Sequence, residues 1–133
     1  MACFFPPTDF LNYSQPGEDT VGIGTLKDFK VAFGPGTDTA EGRQKLGREI
    51  SPIYFIRSNQ PPVLIVHGNA DKLVPIYQAE KFVENSKAAG ATAKLIVREG
   101  KAHGWADSDK DVVIFADWFD EHLRGKKPAR QTP

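Results

Sequence analysis

The stretch PPVLIVHGNADKLVP, residues 61–75, decides the fold of this chain. Residues 63–66 are consecutive aliphatic residues, a pattern typical of a strand that is covered on both faces, as in parallel sheets. The run ends at His67 and Gly68, and Asp71 follows three residues later. We therefore expect a buried parallel strand with a carboxylate just beyond its carboxyl end.

The residues after this stretch predict a helix, a second strand and a second helix. Pro75 suits a first helical turn, apolar residues then recur at helical spacing, and Gly90 stands at the expected helix end. The second strand lies around residues 94–97, and the last helix covers about 109–123. Strand, helix, strand and helix in this order predict two parallel neighbours flanked by helices, and hence an α/β fold.

The N-terminal half has a different pattern. Residues 2–5 form a short apolar run that ends at a double proline, and they add a third predicted strand. Residues 12–60 contain seven glycines, which favours turns over core, with one helix from about 39 to 50. We expect one partial α/β domain over residues 1–123, with 12–60 as an insertion-like segment, 61–123 as the strand–helix units that carry Asp71 and His103, and 124–133 as a polar tail.

The composition of the 133 residues is that of an ordinary globular domain. Seventeen Lys and Arg balance seventeen Asp and Glu, so no net field attracts nucleic acid, and no apolar stretch approaches the length of a membrane span. The single cysteine, Cys3, excludes an intrachain disulfide and a cysteine-based zinc site. Because no basic residue precedes the first apolar run, we expect a cytoplasmic protein, although the loss of an N-terminal targeting segment stays open.

Two residues able to carry chemistry follow the two C-terminal strands. Asp71 lies in the loop after the first strand, and His103, in REGKAHGW, lies in the loop after the second. Neighbouring strands are about 5 Å apart, so side chains from these loops can meet at one edge of the sheet. A carboxylate that accepts a hydrogen bond from one imidazole nitrogen leaves the other free to take a proton from a hydroxyl. The pattern predicts an Asp71–His103 pair, with Gly68 and Gly104 permitting the backbone geometry around it.

VLIVHGNADKLVP followed by GKAHGW resembles the C-terminal part of the α/β-hydrolase superfamily, in particular its esterase, lipase and prolyl-oligopeptidase-like branch. In that family the triad acid follows the seventh strand and the histidine follows the eighth. The resemblance implies that Asp71 is the triad acid and His103 the triad base of a serine hydrolase that cleaves carboxylic esters or peptide-like acyl bonds. It also implies a small ester or acyl substrate and no metal or organic cofactor. Trp105 is a candidate for lining the substrate pocket.

The nucleophile that this family carries on a G-x-S-x-G elbow has no counterpart in the sequence. None of the serines has glycine on both sides at the required spacing: Ser14, Ser51, Ser58, Ser86 and Ser108. Ser51 precedes a proline at a predicted helix end without donors for an oxyanion, so we do not expect it to substitute. We expect the C-terminal portion of a serine hydrolase, nearly inactive alone and completed by a missing N-terminal half.

A second hypothesis is a non-catalytic folded remnant that acts as an oligomeric or partner-binding module. The strand at residues 2–5 would expose an apolar edge without a partner, and such edges invite pairing, so this hypothesis predicts a homo-oligomer. Within the enzyme class, a thioesterase or dienelactone-type hydrolase could share the same C-terminal motifs.

Simpler roles stay open for several residues. Asp71 could only cap the following helix, and His103 could be a loop residue without a task. His67 is interpreted as packing or turn support, and His122 as a favourable charge at a helix end. DSDKD, residues 107–111, imitates a calcium loop but lacks its glycine and its bidentate glutamate, which favours an acidic first helical turn. A zinc site built from His67, Asp71 and His103 would lack a fourth ligand.

Overall fold

The structure, a computed structural model, describes residues 1–125 and contains a three-stranded parallel sheet. β1 (Ala2–Phe4) and β3 (Ala93–Arg98) flank β2 (Val63–Gly68). All of β2 is buried, as its apolar run predicts. The predicted α/β fold with a short parallel sheet is confirmed. Most of the predicted polar tail, residues 126–133, lies outside the described residues.

Residues 1–125 contain four α-helices: α1 (Lys30–Phe33), α2 (Ala40–Ile50), α3 (Tyr77–Ala88) and α4 (Val112–Arg124). Short 3-10 helices cover Gly24–Phe29, Pro35–Thr37, Pro52–Phe55 and Ser108–Asp111. The last of these explains why α4 begins at Val112 rather than near residue 109. None of the helices in residues 1–125 combines the length and apolar character that a membrane crossing requires.

Helices α3 and α4 contact side chains that point to opposite faces of the sheet. Ile65 belongs to a core cluster that includes Ala79, Phe82 and Val83 of α3, and Cys3 packs against this cluster. Phe4, the next residue of β1, instead contacts Phe115 of α4, with ring centroids 4.6 Å apart. Successive strand residues alternate between faces, so the two helices cover the sheet from both sides.

Cys3 has the environment of an unreactive thiol. Its Sγ atom lies 3.8 Å from the carbonyl oxygen of Leu64, and burial is the main cause that raises the pKa of the thiol. A raised pKa leaves less of the nucleophilic thiolate at neutral pH. Cys3 is therefore a poor nucleophile in this environment.

Residues 12–60 hold more buried side chains than their glycine content predicts. Tyr13 and Val21 are almost fully buried. Gly47 of α2 is buried too, and a Cβ there would lie only 2.7 Å from Cγ of Leu11 and 3.1 Å from a methyl group of Val21. Helix α2 therefore packs closely against Leu11 and Val21, despite the many turns of the segment.

Candidate active site

The loops after β2 and β3 pack directly against each other. The backbone N–H of Asn69 donates to the carbonyl of Arg98, and that of Ala70 donates to the carbonyl of Lys101. Gly68 makes this approach possible, because a Cβ at that position would collide with the Lys101 carbonyl oxygen. The parallel register of β2 with β3 thus brings the Asp71 turn and the His103 loop to the same edge of the sheet.

Asp71 and His103 form a hydrogen-bonded pair at this edge. His103 Nδ1 lies 2.8 Å from Asp71 Oδ2. The other carboxylate oxygen, Oδ1, accepts the backbone N–H groups of Leu73 and Val74, both at 2.9 Å. The Asp71 side chain is fully buried, whereas 35% of the His103 side chain is exposed. Asp71 is therefore fixed in its own turn and binds the imidazole at Nδ1, which leaves Nε2 available to another group.

His67, which precedes Gly68 at the end of β2, contacts the Asp71 turn through its imidazole. Its Nε2 lies 2.8 Å from the carbonyl oxygen of Val74 and 3.4 Å from Asp71 Oδ2. The ring is completely buried, and Nδ1 has no hydrogen-bond partner within residues 1–125. Burial lowers the pKa of His67, so the neutral ring donates from Nε2 and stays uncharged near neutral pH. This geometry agrees with the turn-supporting role that the sequence indicated.

An apolar cavity of about 460 Å³ opens beside His103. Part of its wall comes from the residues after β1, including Phe5, and part from the turn after Asp71. The rest comes from the segment at residues 12–60, through Tyr13, Leu26, Phe29, Ala32 and Phe33. The exposed edge of the imidazole therefore faces a pocket able to hold a mainly apolar group.

The sequence also matches a known protein family. The family model BD-FAE matches residues 2–85, more than half of the chain. The chain belongs to the BD-FAE family. Its relatives and structural neighbours include several esterases, and the chain is a member of the α/β-hydrolase superfamily.

Two curated relatives of this BD-FAE chain match limited parts of their own length. Esterase LipC of Mycobacterium tuberculosis is 32% identical over 68 residues, which cover 50% of this chain and 17% of the relative. The uncharacterized peptidase YuxL of Bacillus subtilis is 30% identical over 92 residues, which cover 65% of this chain and 14% of the relative. The chain thus spans less than a fifth of the length of either protein.

Solved structures match the fold over most of the chain. A truncated form of a carbohydrate esterase from gut microbiota has a TM-score of 0.72 and 27% identity, covering 91% of this chain and 41% of that one. Esterase 2 of Thermogutta terrifontis with propionate bound has a TM-score of 0.60 and 25% identity, covering 98% of this chain and 44% of that one. The BD-FAE chain therefore corresponds to less than half of each of these esterases.

Trp105 lies close to His103 in sequence, but its indole faces the protein. Its Nε1 donates to Asp111 Oδ2 at 2.9 Å, and its ring meets Phe4 edge-on at a centroid distance of 5.7 Å. Asp111 is buried and also binds the guanidinium of Arg98 through Oδ1. These contacts tie the His103 loop to β3 and α4, and a substrate-binding role for Trp105 stays a prediction.

Sequence reasoning missed Phe5 and Asp111 as parts of this site. The ring centroid of Phe5 lies 4.3 Å from that of His103. The only signal for Asp111 was its place in the acidic stretch DSDKD, which was interpreted as a first helical turn. Its partners Arg98 and Trp105 lie on another strand and loop, so the sequence alone did not connect them.

The remaining candidate groups have other partners. Ser51 is buried, and its Oγ accepts the N–H of Phe10 at 2.9 Å. His122, in the last turn of α4, packs against Trp118 with ring centroids 4.0 Å apart. No group of three or more His, Cys, Asp or Glu side chains within residues 1–125 is arranged to hold a metal ion.

Proposed function

We propose that this chain carries the acid and the base of a serine hydrolase that cleaves small carboxylic esters or related acyl bonds. The observation that supports the proposal best is the 2.8 Å hydrogen bond between His103 Nδ1 and a fully buried Asp71. It is the arrangement that prepares an imidazole for proton transfer at Nε2. Esterases among the relatives and structural neighbours support the same class of reaction.

In this mechanism His103 is the general base and then the general acid. Nε2 takes the proton of a serine hydroxyl as the serine oxygen attacks the acyl carbon, and Asp71 stabilises the imidazolium that forms. His103 then gives this proton to the departing alkoxide, which leaves as the alcohol. In the second half, Nε2 takes a proton from water, the resulting hydroxide attacks the acyl-enzyme, and the proton returns to the serine as the acid leaves.

The nucleophile must come from outside these 133 residues, because the sequence contains no G-x-S-x-G elbow. We propose that a further portion of the hydrolase supplies this serine and the oxyanion donors. The apolar cavity beside His103 would then receive the apolar part of the ester, and residues 12–60 act as the insertion that shapes it.

The isolated chain gives the first test. Incubation with a p-nitrophenyl ester and with a fluorophosphonate probe is expected to give neither turnover nor covalent labelling, because a triad without its activated nucleophile retains only residual acceleration. Strong labelling of any serine, located by mass spectrometry, would contradict the assignment of an external nucleophile.

A chimera gives the second test and supplies the serine. Residues 2–125 replace the matching portion of Thermogutta terrifontis esterase 2, so that the remainder of that enzyme precedes them. The chimera is expected to hydrolyse p-nitrophenyl acetate, and Asp71→Asn is expected to lower kcat by about 10⁴-fold, as when the acid of such a triad is replaced.

The matched control is Asp107→Asn in the same chimera. Asp107 lies in the same loop as His103 and is half exposed. Its carboxylate pairs with Lys101 and Lys110 rather than with His103, so its loss should leave kcat unchanged. A chimera that is folded by circular dichroism but hydrolyses no ester would overturn the proposed function. Equal effects of the two substitutions would overturn the role of Asp71.

The alternative function, a non-catalytic partner-binding module, rests on a separate observation. Within residues 1–125, β1 pairs only with β2, so its other edge is open. Beside it, α4 exposes several apolar side chains: Val112, Val113, Phe119 and Leu123. This alternative predicts a homodimer in sedimentation velocity at micromolar concentration, and a strictly monomeric chain would count against it.

A further inference from the structure

Phe5 has an unusual backbone conformation directly beside His103. Its φ angle is +33°, and it is the single non-glycine residue with positive φ within residues 1–125. Such a conformation is unfavourable for a residue with a Cβ, and the following residue, Pro6, normally restricts its predecessor to extended geometry. The chain keeps Phe5 in place through its N–H, which donates to the Val66 carbonyl at 3.0 Å.

The consequence of this conformation is the direction of the Phe5 ring. In a regular strand, Phe4 and Phe5 would point to opposite faces of the sheet. Here their rings stack at a centroid distance of 5.8 Å, and both contact Trp105, at 5.7 and 5.9 Å. The turned backbone therefore brings Phe5 to the side of the sheet edge where His103 lies.

The Phe5 ring then packs on the imidazole. The two centroids are 4.3 Å apart with the ring planes tilted by 52°, and Phe5 also lines the cavity. His103 is one-third exposed, so Asp71 and Phe5 account for much of what restrains its ring. Strained backbone conformations often mark functional positions, because the surrounding structure must hold them.

We propose that Phe5 is a positioning residue for His103 and, through its ring, one wall of the acyl-binding cavity. The ring blocks rotation of the imidazole, so that Nδ1 stays on Asp71 while Nε2 remains available to the cavity. The catalytic consequence rests on the proposed function, whereas the restraint on the imidazole does not.

The test is NMR spectroscopy of the full chain with Phe5→Leu and Phe5→Tyr. In Phe5→Leu, the His103 ring protons are expected to lose the ring-current shift. The Nδ1–H proton should exchange with water about threefold faster, the change that corresponds to the loss of one aromatic pair contact. Phe5→Tyr should keep both the ring-current shift and the slow Nδ1–H exchange, because it keeps the aromatic ring. Phe33→Leu is the matched control, since Phe33 lines the same cavity without stacking on His103.

The outcomes separate positioning from mere packing. Unchanged Nδ1–H exchange in a folded Phe5→Leu chain, or an equal change in Phe33→Leu, would overturn the proposal. If Phe5→Leu does not fold, the unsubstituted chain still decides, because missing nuclear Overhauser effects between the Phe5 and His103 rings would overturn it as well. An inactive chimera with these signals intact would refute the proposed function but leave the positioning of His103 standing.

Discussion

The acid–histidine edge, formed by the loops at residues 69–74 and 99–107, is built in the opposite way to the segment at residues 12–60. At the edge, Asp71 finds its partners within its own turn and across one pair of strands. In the segment, Ser51 binds the backbone of Phe10, 41 residues away in sequence. Partners that lie nearby in sequence therefore fix the Asp71 turn, whereas a partner distant in sequence anchors the end of the segment.

The two regions meet at the turn that holds the acid. Tyr13 donates its hydroxyl hydrogen to the Leu73 carbonyl at 2.9 Å, and burial is the main cause that raises the pKa of its phenol. The N–H of the same peptide unit, that of Val74, donates to Asp71 Oδ1 at 2.9 Å. The segment thus reaches the acid through one peptide unit. If the two regions are built independently, substitutions in one should leave the stability contribution of the other unchanged, except at residues along this path.

Asp71→Ala should have the largest effect on stability. It removes the acceptor for two backbone N–H groups and for His103 at a fully buried position. Leaving these donors without a partner should lower the free energy of unfolding by about 3 kcal/mol. Urea unfolding followed by circular dichroism measures this. Asp107→Ala in the neighbouring loop should leave the midpoint unchanged, and equal midpoints for both variants would contradict a special role for the Asp71 turn.

Gly47→Ala probes the packing of the segment rather than the chemistry of the edge. In an exposed helix this change stabilises, but here the new Cβ would press on Leu11 and Val21. Overpacking should outweigh the helix propensity and lower the unfolding free energy by about 1–2 kcal/mol. The Asp71–His103 pair should persist, as shown by an unchanged Nδ1–H resonance. Gly36→Ala is the control, because a methyl group there would meet no other atom within 4 Å. A stabilised Gly47→Ala would show that the segment is loosely packed.

Tyr13→Phe tests the hydrogen-bond path between the regions that runs through the Leu73 carbonyl. Loss of the hydrogen bond to Leu73 should lower the unfolding free energy by about 1 kcal/mol. Combined with Asp71→Ala, the loss should be smaller than the sum of the two single effects, because the turn is already loosened. The double-mutant cycle in urea measures this coupling. Strict additivity would mean that the segment does not act on the acid through this turn.

The same contrast explains what could be predicted from the sequence. The strands at 63–68 and 93–98 and the Asp71–His103 contact follow from apolar runs and from residues that directly succeed them. Their geometry needs only the rule that neighbouring parallel strands end at one edge. The position of the pair is therefore predictable from local sequence patterns.

Other parts of the molecule depend on partners that are distant in sequence. Gln78 has the pattern of an ordinary helical residue, yet its side-chain oxygen accepts the N–H groups of Thr8 and Asp9, 70 and 69 residues away. The turned backbone of Phe5 also contradicts the usual preference of a residue before proline. Local pattern rules cannot anticipate either feature, because tertiary contacts override them there.

The pH dependence of stability gives the smallest and most specific prediction at the edge. Burial, the largest cause, lowers the pKa of His67; nearby Asp71 opposes this shift and nearby His103 adds to it. The folded chain therefore binds a proton on His67 at lower pH than the unfolded chain, whose histidine titrates near about 6.5. Below that value the unfolded state takes up more protons than the folded state. The unfolding free energy therefore decreases as the pH is lowered and recovers as the pH rises again.

Between about pH 6.5 and 5.5 His67 should lower the unfolding free energy by at most about 1 kcal/mol. His67→Gln removes this titration but keeps a side-chain N–H that can reach the Val74 carbonyl. Urea midpoints measured across this range should fall less steeply in His67→Gln than in the unsubstituted chain. Parallel curves would mean that His67 titrates alike in the folded and unfolded states, and that its burial does not hold the ring neutral beneath the acid turn.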